Sequence, residues 1–408
     1  MANPHPRSGT RSRILILGAG IYQLPLIQRA KQMGFETHVV SYAGDFPGIV
    51  IADHFHELDT TDIPGVVALA KRIKVDAVVT SGADVCVPTV GAVCDALGLP
   101  GITRGVAELI SSKDTFRTFQ SANGMHAPRF TIIEERTQLP IALATLRPPL
   151  ILKPVDSSGS RGIVRIETSA LDRAGDSFDY ARAFSRCGRV CIEEVLPGIE
   201  VGGNALLYEG RVVFLAITAK HMERFLVRGH SYPCNIGPLQ QKAVRREIEL
   251  ACALLNYRNG ALNFDVMVHG EEATIIEFGA RLGGNGLTDL IAHAFDYDIE
   301  NDILRLALGD APKVPEAREV RPCGSWVFGV SCRGHLEKTS TLDELRKTVP
   351  EAYAISHASS AGAPVQPFVH NANQLGYVLF SIPPGETWLD MAGRLQDSFV
   401  IDVSPAGS

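Results

Sequence analysis

Short runs of apolar residues alternate with amphipathic stretches through the first quarter of the chain. Three runs rich in Ile, Leu and Val, at Ile14–Leu17, His38–Ser41 and Ala77–Thr80, have the length of buried strands. The segments Tyr22–Met33 and Ile63–Ile73 carry apolar residues at the spacing of one helix face. Strand–helix–strand order at this spacing predicts a parallel sheet with helices on both faces.

Strands predominate in the middle of the chain. Leu150–Pro154, Gly162–Glu167 and Val190–Val195 are apolar runs separated by loops, which predicts an antiparallel sheet. Farther along, more strand-like runs surround a helical stretch at Val244–Leu255.

The last quarter of the chain has short apolar runs, Ser325–Ser331 and Gly376–Ser381, between polar connections, which predicts a small α+β unit. A length of 408 residues predicts several domains, since one domain averages about 150 residues. We expect a multidomain α/β and α+β protein with four units: 11–110 (parallel α/β), 111–195 and 196–310 (two central units), and 311–408 (C-terminal α+β). Residues 1–10 are expected to be a disordered lead-in rather than a secretory signal, because no hydrophobic stretch accompanies their basic residues.

Composition narrows the class of protein. Hydrophobic residues make up 45% and charged residues 21%, as in ordinary globular proteins. The net charge of -6 argues against a nucleic-acid partner, and no apolar run reaches the ~20 residues that span a bilayer. The eight cysteines include no CxxC pair, which argues against a zinc site and a disulfide framework. We therefore expect reduced thiols, a cytoplasmic location, and neither a nucleic-acid nor a membrane partner.

A glycine turn, Gly18-Ala19-Gly20, follows the first predicted strand. The dinucleotide fingerprint needs a third glycine where this chain has Gln23, so NAD(P) binding is disfavoured. Two interpretations stay open. The turn could bind no ligand, or the Gly20 backbone could hold a small anionic substrate group at a helix N-terminus.

Lys153 ends a predicted strand and precedes a loop of small residues, Ser157, Ser158, Gly159 and Ser160. A lysine there supplies a point charge for phosphate oxygens, and small residues let backbone N–H groups approach them. The order differs from a Walker A loop, in which the lysine ends the loop before a helix. A flexible hairpin with an incidental lysine would have the same sequence.

The stretch Glu193-Glu194-Val195-Leu196 leaves a predicted strand and could act as a hinge that offers backbone groups to an adenine edge. Glu200, beyond the turn, could accept hydrogen bonds from ribose hydroxyls. Acids after a strand are also commonly solvated, so the pattern alone leaves both interpretations open.

Asp265 and Glu277 lie in the two arms of a predicted hairpin, each among apolar residues. Such carboxylates repel each other unless a cation neutralises them, and Mg²⁺ prefers oxygen ligands together with phosphates. The alternative is that both acids lie on the solvent face of the hairpin. Arg281, in a glycine-rich segment with Gly284, could hold a phosphoryl group bidentately or pair with a neighbouring acid.

Two further polar residues are candidates for substrate contact. Asp84 follows the strand Ala77–Thr80, and ligands in parallel sheets bind beyond the carboxyl ends of strands. It could pair with a substrate ammonium group, or cap the next helix. His230, in the segment RGHSYP at 228–233, could orient an acyl acceptor or be an ordinary loop histidine.

Taken in order, these elements resemble the ATP-grasp superfamily over roughly residues 12–310, and the stretch 14–35 resembles its N-terminal, Rossmann-like pre-ATP-grasp domain. The five elements are Lys113 in SSKDTFR, Lys153 with its Ser/Gly loop, the Glu-Glu-Val-Leu hinge with Glu200, Asp265, and Glu277 with Arg281. The resemblance implies an ATP-grasp fold with a small C-terminal α+β domain.

The resemblance also implies roles. Lys113 and Lys153 would contact ATP phosphates, and the hinge with Glu200 would hold adenosine. The two hairpin acids would bind Mg²⁺ or Mn²⁺, and Arg281 would stabilise an acyl phosphate and its tetrahedral successor. Many members have Asn two residues after the second metal acid. Gly279 stands there in this chain, which leaves the number of metal ions open.

Within the superfamily, segments 228–233 and 277–284 resemble bacterial L-amino acid ligases. That resemblance implies an ATP-dependent carboxylate–amine ligase that acts through an acyl phosphate, with an amino acid as one substrate, small-molecule partners and often a homodimer. The candidate catalytic residues are Lys153, His230 and Arg281. The alternative is a carboxylase or purine-type ligase that acts through carboxyphosphate. A regulator that kept the fold is disfavoured by the intact charged set. The sequence identifies neither the substrates nor the base that deprotonates the amine.

Overall fold

A parallel sheet with its helices forms the N-terminal domain. The computed structural model describes residues 11–316 and 319–405, so the expectation for residues 1–10 lies outside it. The elements are β1 (Arg13–Leu17), α1 (Leu24–Gln32), β2 (Glu36–Ser41), α2 (Pro47–Ile51), β3 (His54–Glu57), α3 (Ile63–Ile73), β4 (Ala77–Val79), α4 (Val87–Leu97) and α5 (Arg104–Ser111). Four parallel strands lie in the order β3-β2-β1-β4, which confirms the predicted sheet.

Two local features differ from the sequence pattern. Helix α1 begins at Leu24 rather than Tyr22, with a proline in its first turn, where a missing N–H costs no hydrogen bond. Strand β3 was not predicted, because its sequence HFHE is polar and its residues are exposed or half-buried.

The second unit is a small antiparallel sheet, as predicted. Its elements are α6 (Lys113–Ala122), β5 (Phe130–Ile133), α7 (Leu139–Thr145), β6 (Leu150–Pro154), β7 (Val164–Ile166), α8 (Ala174–Ala183) and β8 (Val190–Glu194). The strands lie in the order β5-β8-β6-β7. Phe178 of α8 packs with Leu150, Leu152 and Ile192 in the core beneath this sheet.

The rest of the chain builds one large sheet and a small one. The elements are β9 (Ile199–Tyr208), β10 (Arg211–Glu223), β11 (Leu226–Tyr232), α9 (Pro238–Leu254), β12 (Gly260–His269), β13 (Glu272–Gly279), α10 (Leu287–Phe295), α11 (Ile299–Ala307), β14 (Cys323–Phe328), β15 (Gly334–Thr339), α12 (Leu342–Leu345), β16 (Ala352–His357), β17 (Pro364–Val365), β18 (Gly376–Ser381), α13 (Trp388–Ser398) and β19 (Ile401–Pro405). The eight strands of the large sheet follow the order β13-β12-β9-β10-β11-β14-β18-β16.

This topology corrects the predicted C-terminal appendage. Strands β14, β18 and β16 extend the large sheet from β11, so the expected boundary at residue 310 does not separate two sheets. Of the described strands after residue 310, β17, β15 and β19 form a separate three-stranded sheet. Pairing between strands that are distant along the chain leaves no local signal in the sequence. No helix in the described parts of the chain is both long and apolar enough to cross a membrane.

The centre of the large sheet depends on Gly203 of β9, which lies between β10 and β12. A Cβ atom at this position would lie 2.0 Å from the backbone oxygen of Ala216 and 2.8 Å from the Phe264 ring. The two neighbouring strands therefore pack against a backbone that has no side chain here.

We expect Gly203→Ala to lower the free energy of unfolding by about 1–3 kcal/mol, because the added methyl group overpacks the sheet. Gly393→Ala is the matched control, since nothing lies within 4 Å of the added atom and the site is in helix α13. The control should raise stability by up to about 1 kcal/mol. Equilibrium denaturation measures both, and a Gly203→Ala protein as stable as the parent would contradict the packing argument.

Candidate active site

Two neighbouring cavities lie where the small and large sheets meet the N-terminal domain. The first, of about 140 Å³, is lined from β6, β8, β10, β12 and β13. The second, of about 310 Å³, is lined from β11, the segment after β13 and the N-terminal domain. Residues that line both are Ser158, Gly159, Ser160, Arg161, Lys220, Asp265 and Glu277. The loop and both acids singled out from the sequence therefore lie where the cavities join.

The predicted hinge lines the first cavity together with the apolar side chains of Met222 and Phe225. The Glu194 N–H donates to the carbonyl oxygen of Arg129, and the Val195 N–H donates to that of Pro149. Among the described residues, nothing accepts a hydrogen bond from the Leu196 N–H. Leu196 is thus the hinge position with a free donor beside an apolar wall.

The side chain of Glu193, the first residue of the hinge, is part of a buried network of charges. Its carboxylate accepts from Arg117 Nε at 2.8 Å and from Lys153 Nζ at 2.6 Å. Burial alone would raise the pKa of Glu193, but the two cations hold it at about 2. Burial lowers the pKa of Lys153, and the Glu193 charge opposes that shift. We infer an ionised network in which Glu193 keeps Lys153 charged. The Glu193 side chain is used in this network, and the expectation that the hinge offers backbone groups to adenine stays a prediction.

The Ser/Gly loop is fixed at both ends. Lys113, in the first turn of α6, donates to the carbonyl oxygen of Ser157 at 2.6 Å, and its Nζ lies 3.7 Å from a carboxylate oxygen of Glu277. Gly159 and Ser160 have φ angles of +67° and +63°, a region that suits glycine. The backbone N–H of Asn371, from the C-terminal part of the chain, donates to the Gly159 carbonyl oxygen at 3.1 Å.

Asp265 and Glu277 are cross-strand partners on β12 and β13, as the hairpin predicted. Lys220 of β10 lies 2.7 Å from Asp265 and 2.6 Å from Glu200, so one lysine joins two predicted site residues. Burial raises the pKa of Asp265 to about 6, against the opposing effect of Lys220. Both acids line the cavities. The alternative, that they lie only on the solvent face of the hairpin, is therefore wrong.

Arg281 is held by a carboxylate from the N-terminal domain. Its Nε lies 2.9 Å from Asp84 Oδ1, its Nη2 lies 2.7 Å from Asp84 Oδ2, and its Nη1 donates to Asn263 Oδ1 at 2.7 Å. Asp84 is the first residue of a 3₁₀ turn and α4 is capped by Cys86, so the expected helix cap is wrong. Arg281 does pair with an acid, but with one far away in sequence.

His230 lines the second cavity and has a defined tautomer. The Thr218 hydroxyl has one proton and donates it to the Gly202 carbonyl oxygen at 3.0 Å. That hydroxyl must therefore accept from His230 Nδ1, which lies 3.0 Å away. Burial, with help from Lys220 and His221, lowers the pKa of His230 well below its usual range. The imidazole is neutral, and Nε2 keeps its lone pair.

The Gly18–Gly20 turn is filled by the protein itself. The Gly20 N–H donates to Gln23 Oε1 at 2.9 Å, and the Gln23 amide nitrogen donates to the Ser81 carbonyl oxygen. Gly20 therefore offers no free N–H to a substrate, and it lines neither cavity, which corrects that expectation. Gly284 does line the second cavity, where a Cβ atom would lie 3.0 Å from the Tyr22 ring.

Comparison with known proteins agrees with this geometry. The sequence profile of the ATP-grasp domain matches residues 146–289, which contain the Ser/Gly loop, the hinge and both acids. Residues 146–289 are an ATP-grasp domain, and the chain as a whole has the ATP-grasp fold. Its ATP-grasp fold and the predicted resemblance are thereby confirmed.

Relatives of this ATP-grasp chain include several kinds of enzyme. A phosphoribosylamine–glycine ligase from Phenylobacterium zucineum is 26% identical over 66% of this chain and 68% of its own length. The L-amino acid ligase from Bacillus licheniformis superposes with a TM-score of 0.82 at 21% identity, over 97% of this chain and 99% of its own. The biotin carboxylase domain of 2-oxoglutarate carboxylase from Hydrogenobacter thermophilus, solved with MgADP and bicarbonate, gives a TM-score of 0.75 at 16% identity, over 96% and 91%. At these identities the two structures show a shared fold.

Several polar residues that line the cavities were not predicted from the sequence, among them Tyr22, Arg117, Lys220 and Asn263. The sequence did contain a signal for Lys220. This lysine lies in the apolar run before His221, and a charged residue in such a run needs a partner. Arg117 and Asn263 gave no signal, because their partners come from distant segments.

We expect Glu193→Gln to lower the free energy of unfolding by about 3–5 kcal/mol, because Arg117 and Lys153 would remain as buried, uncompensated cations. The folded-state pKa of about 2 lies below the ordinary 4.5. The stabilisation from Glu193 is therefore complete above pH 4.5 and is lost as the pH falls towards 2.

Glu167→Gln is the control, since its ion pair with Arg165 has exposed side chains (47% and 56%). It should change stability by less than about 1 kcal/mol. Urea denaturation between pH 3 and 7 measures both variants. Equal, small effects of the two substitutions would contradict a charged network at Glu193.

Proposed function

We propose that this ATP-grasp chain is an ATP- and Mg²⁺-dependent carboxylate–amine ligase that acts through an acyl phosphate, with an amino acid as one substrate. The observation that carries the proposal is the junction of the two cavities. One cavity fits a nucleotide, and the other presents a fixed guanidinium and a neutral imidazole to a small polar substrate. The Ser/Gly loop and both acids lie between them.

The lining of the first cavity has the groups that ATP needs. The adenine can lie against Met222 and Phe225 and accept from the free Leu196 N–H. Glu200 is available to ribose hydroxyls while it stays paired with Lys220. Lys153, kept charged by Glu193, and Lys113 at the Ser/Gly loop supply two cations for the phosphates.

Mg²⁺, or Mn²⁺ in its place, fits the pair Asp265 and Glu277, since both offer hard carboxylate oxygens next to the phosphate loop. The bound ion would offset negative charge on the transferring phosphoryl group. Lys220 holds one oxygen of Asp265, so this residue keeps its orientation before a metal arrives. Gly279 offers no side chain as a further ligand.

The reaction we propose has two steps. A substrate carboxylate oxygen attacks the γ-phosphorus of ATP, the bond to the β–γ bridging oxygen breaks, and ADP leaves. The amine nitrogen then attacks the acyl carbon, the bond to the phosphate oxygen breaks, and phosphate leaves with loss of one amine proton. Loop closure over the cavities would keep water from the acyl phosphate.

Arg281 and His230 complete this proposal. The guanidinium is fixed by Asp84 and Asn263, so it can meet the negative charge of the acyl phosphate and of the tetrahedral species without reorganising. The free Nε2 lone pair of His230 can accept a hydrogen bond from the incoming amine. Among the described residues, the charged groups that line the second cavity are engaged with other protein groups. This fits a small zwitterion better than a substrate with a phosphate of its own.

The first test is phosphate release from ATP and Mg²⁺ with single amino acids and with pairs, followed by mass spectrometry of the products. We expect release that needs two amino acids and yields a dipeptide mass. Turnover with bicarbonate alone would instead favour a carboxylase. The expected homodimer and cytoplasmic location stay predictions.

We expect Glu277→Gln to lower turnover at least about 100-fold, because it removes a carboxylate from the metal pair. Glu272→Gln is the control, because this acid is exposed at the start of the same strand. It should keep parental turnover. Retained activity in Glu277→Gln would remove the metal site from the proposal.

We expect Asp84→Asn to lower kcat/KM by about 10–100-fold, because the amide is neutral and has one acceptor oxygen where the carboxylate has two. Asp310→Asn, at an exposed acid outside both cavities, is the control. Steady-state kinetics on variants with matched unfolding temperatures decides between the outcomes. Parental kinetics in Asp84→Asn would show that Arg281 needs no such anchor.

A further inference from the structure

Imidazoles and a carboxylate gather at the edge of the N-terminal sheet, where β3 pairs with β2. His38 of β2 and His54 of β3 are cross-strand partners in this parallel pair. Glu36 precedes His38 by two residues, and His56 follows His54 by two. Because side chains alternate between faces along a strand, all four project from the same face of the sheet. None of them lines the two cavities of the active site.

The ligand atoms of three of these residues converge. Glu36 Oε1 lies 3.0 Å from His38 Nε2 and 3.2 Å from His54 Nε2. The His38 and His54 rings stack at 4.5 Å with 17° between their planes, and the Nε2 atom of each lies next to the same carboxylate oxygen. Each of the three offers one ligand atom, and these atoms lie within 4.8 Å of one another.

Two of these distances match the edges of a tetrahedral site. Ligand atoms bound tetrahedrally to Zn²⁺ at about 2.0–2.1 Å are about 3.3 Å apart. The two short distances to Glu36 Oε1 are close to that edge length. Two imidazole nitrogens with one carboxylate oxygen are a donor set for Zn²⁺, whereas Mg²⁺ prefers oxygen alone.

The surroundings also orient the donors. For His38 Nε2 to bind a metal, the proton must be on Nδ1, and Nδ1 lies 3.0 Å from His56 Nε2, which can accept it. Metal-binding histidines almost always donate their other N–H to such a partner. Arg13 lies 3.6 Å from Glu36 Oε2, which leaves Oε1 for the imidazoles. The His54 side chain is 51% exposed while that of His38 is 6% exposed, so solvent reaches the cluster from one side.

We propose that Glu36, His38 and His54 bind one Zn²⁺ ion, with His56 as the acceptor that orients His38 and with water as the fourth ligand. The ion links the polar edge strand β3 to β2 through side chains. The absence of CxxC pairs argued against a zinc site, and this proposal revises that expectation. Cysteine spacing carries no information about a site built from histidines on two strands.

The test uses the full chain, stripped of metal, with excess Mg²⁺ present to occupy the hairpin acids. Co²⁺ is added as the spectroscopic probe and is then displaced by Zn²⁺. We expect one equivalent of Co²⁺ with the visible absorption of a four-coordinate ion, and a higher unfolding temperature with Zn²⁺. His54→Gln should lose both effects and keep ATP turnover. His335→Gln, at an exposed histidine of β15, should keep both.

Two results would overturn the site: no stoichiometric Co²⁺ binding to the parent chain, or equal binding by the parent and His54→Gln. His56→Phe tests the orienting contact and should weaken Zn²⁺ binding by about 10–100-fold while one equivalent still binds. Parental affinity in His56→Phe would remove His56 from the proposal.

Discussion

One buried carboxylate fixes the arrangement on which the site depends. Glu193 of β8 binds Lys153 of β6 and Arg117 of α6. Arg117 also donates to the carbonyl oxygens of Ile275 and Ile276 on β13, so the network ties the small sheet to the edge of the large one. A free lysine would lose up to about 2 kcal/mol of side-chain entropy on binding an anion. Lys153 has lost that freedom on folding, and it is already aimed at the cavity.

In the large sheet, glycine makes room for charged and polar side chains because it has no side chain of its own. Gly202 of β9 is the cross-strand partner of both Asp265 and Thr218. A Cβ atom at Gly202 would lie 2.9 Å from Asp265 Oδ1 and 3.5 Å from His230 Cε1. Because the glycine leaves this space open, the Asp265 carboxylate and the His230 imidazole can lie side by side over one strand.

Local patterns in the sequence predicted the parallel sheet, the small antiparallel sheet and the hairpin of Asp265 and Glu277, because periodicity records which face of each element is buried. They did not predict that β14, β18 and β16 extend the large sheet, since pairing between distant segments leaves no local trace. In the site, the same limit hides the partners of two acids. The sequence marks Glu193 and Asp84 as acids after strands, but it does not reveal that their partners are Arg117 and Arg281.

Asp84 and Gly279 show how two distant positions depend on each other. A Cβ atom at Gly279 would lie 2.8 Å from Asp84 Oδ1, so a larger residue at 279 would displace the carboxylate that fixes Arg281. The Asn that many superfamily members carry there is therefore incompatible with this anchor in its present position. At position 279 this chain has no side chain, and the space beside Asp265 and Glu277 is bordered by a guanidinium that the N-terminal domain holds. The ATP-grasp core alone would leave Arg281 without its carboxylate, so the first domain is part of the site rather than a neighbour of it.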